Sequence, residues 1–133
     1  MTAYRTAQEI FDVSTAALLK QGVAAVDHGS CKYRTLSGHK CAVGHLISDD
    51  IDTFFIEGKT VREPLVASAA GIRSTDVELA AALQRAHDRT LDLHGIEKWK
   101  QEVRCIASDF GLSARVLDEA EAAASPYLTD ASA

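Results

Sequence analysis

Apolar residues recur at helical spacing along most of this chain. Ala7, Ile10, Phe11, Ser14, Ala17 and Leu18 fall on one helical face, with Thr6 and Glu9 at capping-box spacing ahead of it and Gly22 behind. That pattern predicts a helix over 7–21. Leu79, Leu83, Ala86, Thr90 and Leu91 form a second stripe, opened by Thr75 and Glu78 at the same spacing and closed by Gly95. A third stripe is made by Trp99, Val103, Ile106 and Phe110; it stops at Gly111, where Leu112 is placed to pack back as in a Schellman end. Cys105 lies about 120° away from that stripe and reads as a surface or lightly packed thiol. Ser113 then opens an alanine-rich helix with Val116, Leu117 and Ala120 inward and Ser125-Pro126 at its end.

Between the first and second stripes the period is lost. Cys31-Lys-Tyr-Arg-Thr and Gly38-His-Lys-Cys flank Leu36-Ser37-Gly38, a short glycine-containing connection suited to a hairpin, so a two-stranded ribbon is predicted near residues 31–41. A short helix is expected over Ala42–Ile47, followed by capping and turn residues at Ser48, Asp49 and Asp50. Asp49, Asp50 and Asp52 lack the glycine and distal glutamate of a calcium loop. Phe54, Phe55 and Ile56 form an apolar knot before the Glu57-Gly58-Lys59 turn, with Phe54 and Phe55 read first as core and second as an exposed anchor for a partner. Thr60 and Glu63 have capping-box spacing, and Pro64 suits a helix start, so a short helix ending at Gly71 is predicted. The fold class is α+β, mainly α: one compact helical domain over 1–126 with a small β-ribbon, and a frayed tail over 127–133.

Composition narrows the function. With 133 residues and 47% of them hydrophobic, the chain is sized for one core. Its net charge of −5 is concentrated at the end, where Arg115 stands against Asp118, Glu119, Glu121 and Asp130. No basic stripe is evident, so nucleic acid is disfavoured as a partner and proteins or small molecules are favoured. No apolar run approaches a membrane span and no signal region follows Met1, which predicts a cytoplasmic protein without a membrane partner. In that compartment Cys31, Cys41 and Cys105 are expected as free thiols.

Four segments, Cys31-Lys-Tyr-Arg, Gly38 to Cys41 running into Cys41-Ala-Val-Gly-His-Leu-Ile, Glu57-Gly58-Lys59-Thr60-Val61, and Leu83-Gln84-Arg85-Ala86-His87-Asp88, together give the chain a distinctive pattern. It resembles a family of small proteins from bacteria and their phages, over most of its length. The resemblance implies a phage or prophage setting and no particular activity, cofactor or substrate. Ser48 departs from it, standing where a proline is expected before the acidic pair.

Candidate chemistry centres on the predicted ribbon. A reversal at 36–38 would set residue 31 nearly opposite residue 41 and put His39 and Cys41 on one face, with His45 a turn onward. Cys31, His39, Cys41 and His45 would then offer a Cys2His2 donor set for zinc, although the C-x7-H-x-C-x3-H spacing has no knuckle, and the plainer reading is reduced thiols packed under the ribbon. Alternatively Cys41, at a helix N-terminus, could act as a nucleophile with His45, or His87 with Asp88, as base. The plainer reading of His87 is a half-buried structural histidine held by a backbone carbonyl, and of Asp88 a solvated partner of Arg85 and Arg89. With no phosphate loop, serine elbow or zinc-protease helix present, the favoured function is a non-enzymatic accessory protein that binds a protein partner, such as a host factor or defence component. Asp118, Glu119 and Glu121, with Phe54 and Phe55, are its candidate contact residues. The alternatives are a metal- or thiol-dependent enzyme centred on Cys31, Cys41 and His45, and a homodimerising structural protein.

Overall fold

Helix α1 (Ala7–Gln21) begins where the Thr6 hydroxyl accepts from the Glu9 amide and the Glu9 carboxylate accepts from the Thr6 amide, completing the predicted cap. It ends at Gly22, whose φ of 76° only glycine adopts without strain. These elements belong to a computed structural model, which describes residues 4–124. The tail predicted over 127–133 and the Ser125-Pro126 end lie outside the described residues.

Four more helices follow an irregular middle. Helix α2 (Pro64–Ala70) carries Pro64 in its first turn and stops at Gly71 in the left-handed region. Helix α3 runs without a break through an α-helical stretch (Val77–Arg85), a π-helical stretch (Ala86–Leu91) and a closing turn (Asp92–His94). After Gly95 comes α4 (Ile96–Asp109), which ends in the predicted Schellman pair: Leu112 N–H donates to Ala107 O at 2.8 Å and Gly111 N–H to Ser108 O at 3.2 Å. The Ser113 hydroxyl accepts from the Arg115 amide at the start of α5 (Arg115–Ala124). Among the described residues no helix is long and apolar enough to cross a membrane.

The stripes meet, except that Phe110, at the end of the third, is exposed where its helix stops. Ile10, Phe11 and Leu18 of α1, Leu79 and Leu83 of α3, Trp99 and Val103 of α4 and Leu117 of α5 are all buried in one cluster. Helix α1 packs on α3 and α5, and α3 packs on α4. Cys105 is exposed, as its place off the stripe required. Two predicted capping boxes do not form. Glu78 pairs with Arg62 instead of folding back on Thr75, and Glu63 is itself the residue preceding Pro64 at the start of α2, with no side-chain cap.

The fold is mainly α with a small antiparallel hairpin, placed slightly earlier than its sequence signal. β1 (Val26–Asp27) pairs with β2 (Ser30–Cys31), and the turn between them uses His28 and Gly29, both at positive φ. The reversal at 35–39 is present, but it closes only a single bridge between Arg34 and Lys40. Its register is fixed from outside, because the Arg34 guanidinium donates to the carbonyls of Ile51 and Ser48. The short helix expected over 42–47 is one 3-10 turn, Gly44–Leu46.

Candidate functional site

The irregular middle is folded as a knot against α3, and the site lies along that seam. Glu57 fastens the segment after β2: its carboxylate accepts from the amides of Tyr33 and Arg34, at 2.8 and 3.2 Å, and from the Thr53 hydroxyl at 3.0 Å. The Tyr33 hydroxyl donates to Lys59 O, and burial pushes that phenol above its usual range. The 3-10 turn then crosses directly beneath Tyr33, at Gly44. A Cβ on Gly44 would stand 2.0 Å from Tyr33 O, so this crossing admits only glycine.

Helix α3 supplies the other wall. Its i→i+5 stretch packs more residues into each turn than an α-helix, so successive side chains are turned through a smaller angle and His87 and Asp88 address neighbouring surroundings. His87 is fully buried, not half-buried, and its main partner is an amide rather than a carbonyl: the Ala25 N–H donates to Nε2 at 2.9 Å. An amide can only donate, so Nε2 carries no proton. Nδ1 carries it and donates to Asp88 Oδ1 at 2.8 Å. Asp88 Oδ1 also accepts from Gln84 Nε2 at 2.9 Å, and Gln84 Oε1 accepts from the Val43 amide at 3.0 Å. Asp88 is therefore not the solvated partner of Arg85 and Arg89. Through His87 and Gln84 on its own helix, its carboxylate is linked to the segments at Ala25 and Val43.

Above Asp88 opens a cleft of about 360 Å³. Its floor includes Cys31, Cys41, Gln84 and Asp88, and the turn at 57–61 forms one side. Around it stand Lys32, Lys59, Arg62, Arg85 and Arg89. The four sequence segments singled out above, around 31–34, 38–47, 57–61 and 83–88, all contribute to this one place.

Cys31 and Cys41 thus share a cleft, but the proposed zinc quartet is not assembled. Among the described residues the metal-type donors that converge are Cys31, His87 and Asp88, within 4.8 Å of one another. His39 is held in the reversal by its backbone, its amide donating to the Thr35 hydroxyl and its carbonyl accepting from the Thr35 amide. His45 turns away to Gln21 Oε1 at 3.0 Å, and burial, together with nearby Lys40, pulls its pKa down to about 4. The trio does not suit a metal either. The Nε2 lone pair of His87 is occupied by Ala25 and its Nδ1 bears the proton shared with Asp88, so neither ring nitrogen is free to ligate.

Nucleophilic chemistry is equally poorly served. Burial pushes the Cys31 thiol up to about 12, with neighbouring Asp88 adding to the rise. Cys41, fully buried, is also raised to about 12 by desolvation, although its sulfur accepts from the Gly44 amide at 3.3 Å and gains from Gln84. The single 3-10 turn that follows Cys41 supplies too little dipole to offset that burial. Both thiols are therefore protonated at neutral pH. In native protein at pH 7.5, iodoacetamide should label Cys105 within minutes and leave Cys31 and Cys41 largely unmodified, as read by peptide mass spectrometry. Fast labelling of Cys31 would mean that its thiolate is populated.

The candidate contact residues divide. Asp118 and Glu121 pair with Arg104 at 2.9 and 3.2 Å, and Glu119 pairs with Arg115 at 2.7 Å, so two guanidiniums offset part of the charge of the acidic face of α5 from within the chain. Phe54 and Phe55, read first as core, are 76% and 72% exposed. Asp52 caps the turn beneath them through the Phe54 amide, and Ile56 alone of the three apolar residues turns inward. Asp49 is bound to Lys40 and Asp50 to the Ser48 hydroxyl, side-chain contacts in place of the backbone capping expected of them.

Sequence reasoning missed Tyr33, Glu57, Gln84 and the cationic rim as parts of one site. Their long-range contacts span 23 to 41 residues of chain, and no local period reports them. No family model, curated protein or solved structure matches the chain.

Proposed function

We propose that the protein acts by binding rather than by catalysis, and that the cleft is its recognition site, built to take an anionic group. The placement of the cations carries this reading. The side chains of Lys32, Lys59, Arg85 and Arg89 have no ion-pair or hydrogen-bond partner among the described residues, and all four line the cleft. Arg62, also at the cleft, and Lys40, Lys100, Arg104 and Arg115 are matched to carboxylates, Arg5 and Arg34 to carbonyls, and Arg73 lies over the Tyr4 ring; away from the cleft only Lys20 and Lys98 lack such a partner among the described residues. Like charges gathered round one opening repel each other, and an anion seated among them reverses the sign of that interaction. In a chain of net charge −5, most of the cations left unmatched among the described residues gather at this one opening. The raised thiols and the occupied histidine support binding over covalent or metal chemistry.

In the phage or prophage setting that the resemblance implies, such a protein is an accessory factor. The exposed aromatic pair Phe54 and Phe55, in edge-to-face contact at 5.7 Å, gives it a second surface suited to a protein partner. The cleft is the part that can be tested directly. At low ionic strength, multivalent anions such as pyrophosphate and citrate should raise the melting temperature of the protein. Arg85→Glu combined with Arg89→Glu should abolish the response while leaving the unliganded melting temperature within a few degrees, since both positions are exposed. Indifference of the parent protein to every anion tried would refute the reading.

A further inference from the structure

The cleft carries opposite charges at two levels, and that arrangement restricts what fits it. Rim cations favour an anion, yet the floor presents Asp88, whose side chain remains 40% exposed. Two of its intramolecular side-chain donors, His87 Nδ1 and Gln84 Nε2, converge on Oδ1. The second oxygen receives neither of them; the Cys31 thiol is the carboxylate's other neighbour in the cleft, and a carboxylate with about four lone-pair sites has capacity for a ligand donor beside it. A compact anion that sank to the floor would meet this carboxylate and be repelled. The complementary ligand is bipolar, with its anion at the rim and a hydroxyl or amine donor at the floor.

The rim also distinguishes among anions. Arg85 and Arg89 lie four residues apart on α3, where like charges disfavour each other, and Lys32 and Lys59 face them from the hairpin end and the 57–61 turn. One carboxylate is satisfied by a single guanidinium fork. A phosphate, with up to two charges and three terminal oxygens, can engage several cations at once. The volume of about 360 Å³ lies towards the small end of the range for small-molecule sites, roughly 300–1,000 Å³, and is too small for a macromolecular groove.

We infer that the ligand of this cleft is a small phosphate monoester bearing hydroxyl or amine groups, its phosphate among Arg85, Arg89, Lys32 and Lys59 and its donor end on Asp88. The inference rests on the cleft being an anion site, as proposed above, and adds the identity of the anion and the role of Asp88. Titration calorimetry at low ionic strength with inorganic phosphate, ribose 5-phosphate, adenosine monophosphate and citrate tests it. At least one of the two esters should bind about tenfold or more tighter than inorganic phosphate, and citrate should bind more weakly than that ester. Asp88→Asn removes the floor charge while keeping an acceptor for His87 and Gln84. It should shrink the ester preference to about twofold or less and strengthen binding of inorganic phosphate. Arg85→Gln with Arg89→Gln, both surface changes, should weaken all the phosphates together. Binding of citrate as tight as that of the esters, or no preference of either ester over inorganic phosphate, overturns the inference while leaving an anion site standing. Failure of all four anions removes the anion site itself.

Discussion

Gly44→Ala should destabilise this protein by at least about 3 kcal/mol, the largest loss expected from any single methyl group in the chain. The added Cβ would lie 2.0 Å from Tyr33 O and 2.9 Å from Tyr33 C, distances that backbone atoms cannot accept without moving. Neither strand of the crossing can yield cheaply. Tyr33 is fixed by Glu57 through its amide and by Lys59 through its hydroxyl, and the turn at Gly44 is fixed by Cys41 and by Gln84. The cause is space, not backbone angle, because Gly44 is absent from the glycines at positive φ. Gly58→Ala is the matching control. Gly58 has φ 82° and nothing within 4 Å of its missing Cβ, so its loss should be confined to the left-handed penalty of about 1–2 kcal/mol. Urea unfolding with an unchanged slope would report both values, and equal midpoints for the two variants would contradict this account.

The second large effect is expected at His87. His87→Leu preserves apolar packing but leaves the buried Ala25 amide without an acceptor and Asp88 without one of its donors, a loss of about 2–4 kcal/mol. The damage should be localised as well as global. Ala25 precedes the hairpin, so hydrogen exchange across residues 25–31 should accelerate beyond what the loss of overall stability explains. Asp88→Asn, which keeps an oxygen acceptor, should cost under about 1 kcal/mol. If His87→Leu left exchange at Ala25 unchanged, the imidazole would not be what secures the hairpin.

How much of this was legible beforehand depends on the range of the interactions concerned. Helix α1 was readable because a stripe, a cap and a glycine agree within a few residues at Thr6, Glu9 and Gly22; α4 was readable from its stripe and flanking glycines, and α5 from its stripe and Ser113. The chain between Gly22 and Pro64 was readable only in part. Its turns are held by side chains from elsewhere, Arg34 reaching to 48 and 51, Glu57 reaching to 33 and 34, and Gln21 bonding both the amide and the carbonyl of Lys40. Nothing in the local period of 31–41 reports those long bonds, which is why an extended ribbon was predicted and two shorter turns formed. Cys31, Cys41, His87 and Asp88 were all named as candidate chemistry, and three of the four reach the cleft lining with the fourth directly behind it. Their roles were misjudged, because a residue's type suggests ligation or nucleophilicity while burial and a prior hydrogen bond decide whether that capacity is free. Arg85 and Arg89 were read as a solvated helix face because their matching acid, Asp88, turns inward, and only the fold shows that.

The π-helical stretch in α3 bears on how this molecule can be altered. Core residues Leu79 and Leu83 lie before it and Leu91 at its end, so the extra residue is accommodated between two ends of one helix that both face the core. Six residues at the smaller π turn cover about the same rotation as five at roughly 100° each, so removing one residue from 86–91 would let ordinary i→i+4 bonding resume with the downstream turn close to its present phase. Such a deletion would therefore leave Leu91 near its place in the core while cancelling the local offset that sets His87 and Asp88 towards their separate partners, whereas a deletion in the α-helical part of the same helix would rotate everything after it.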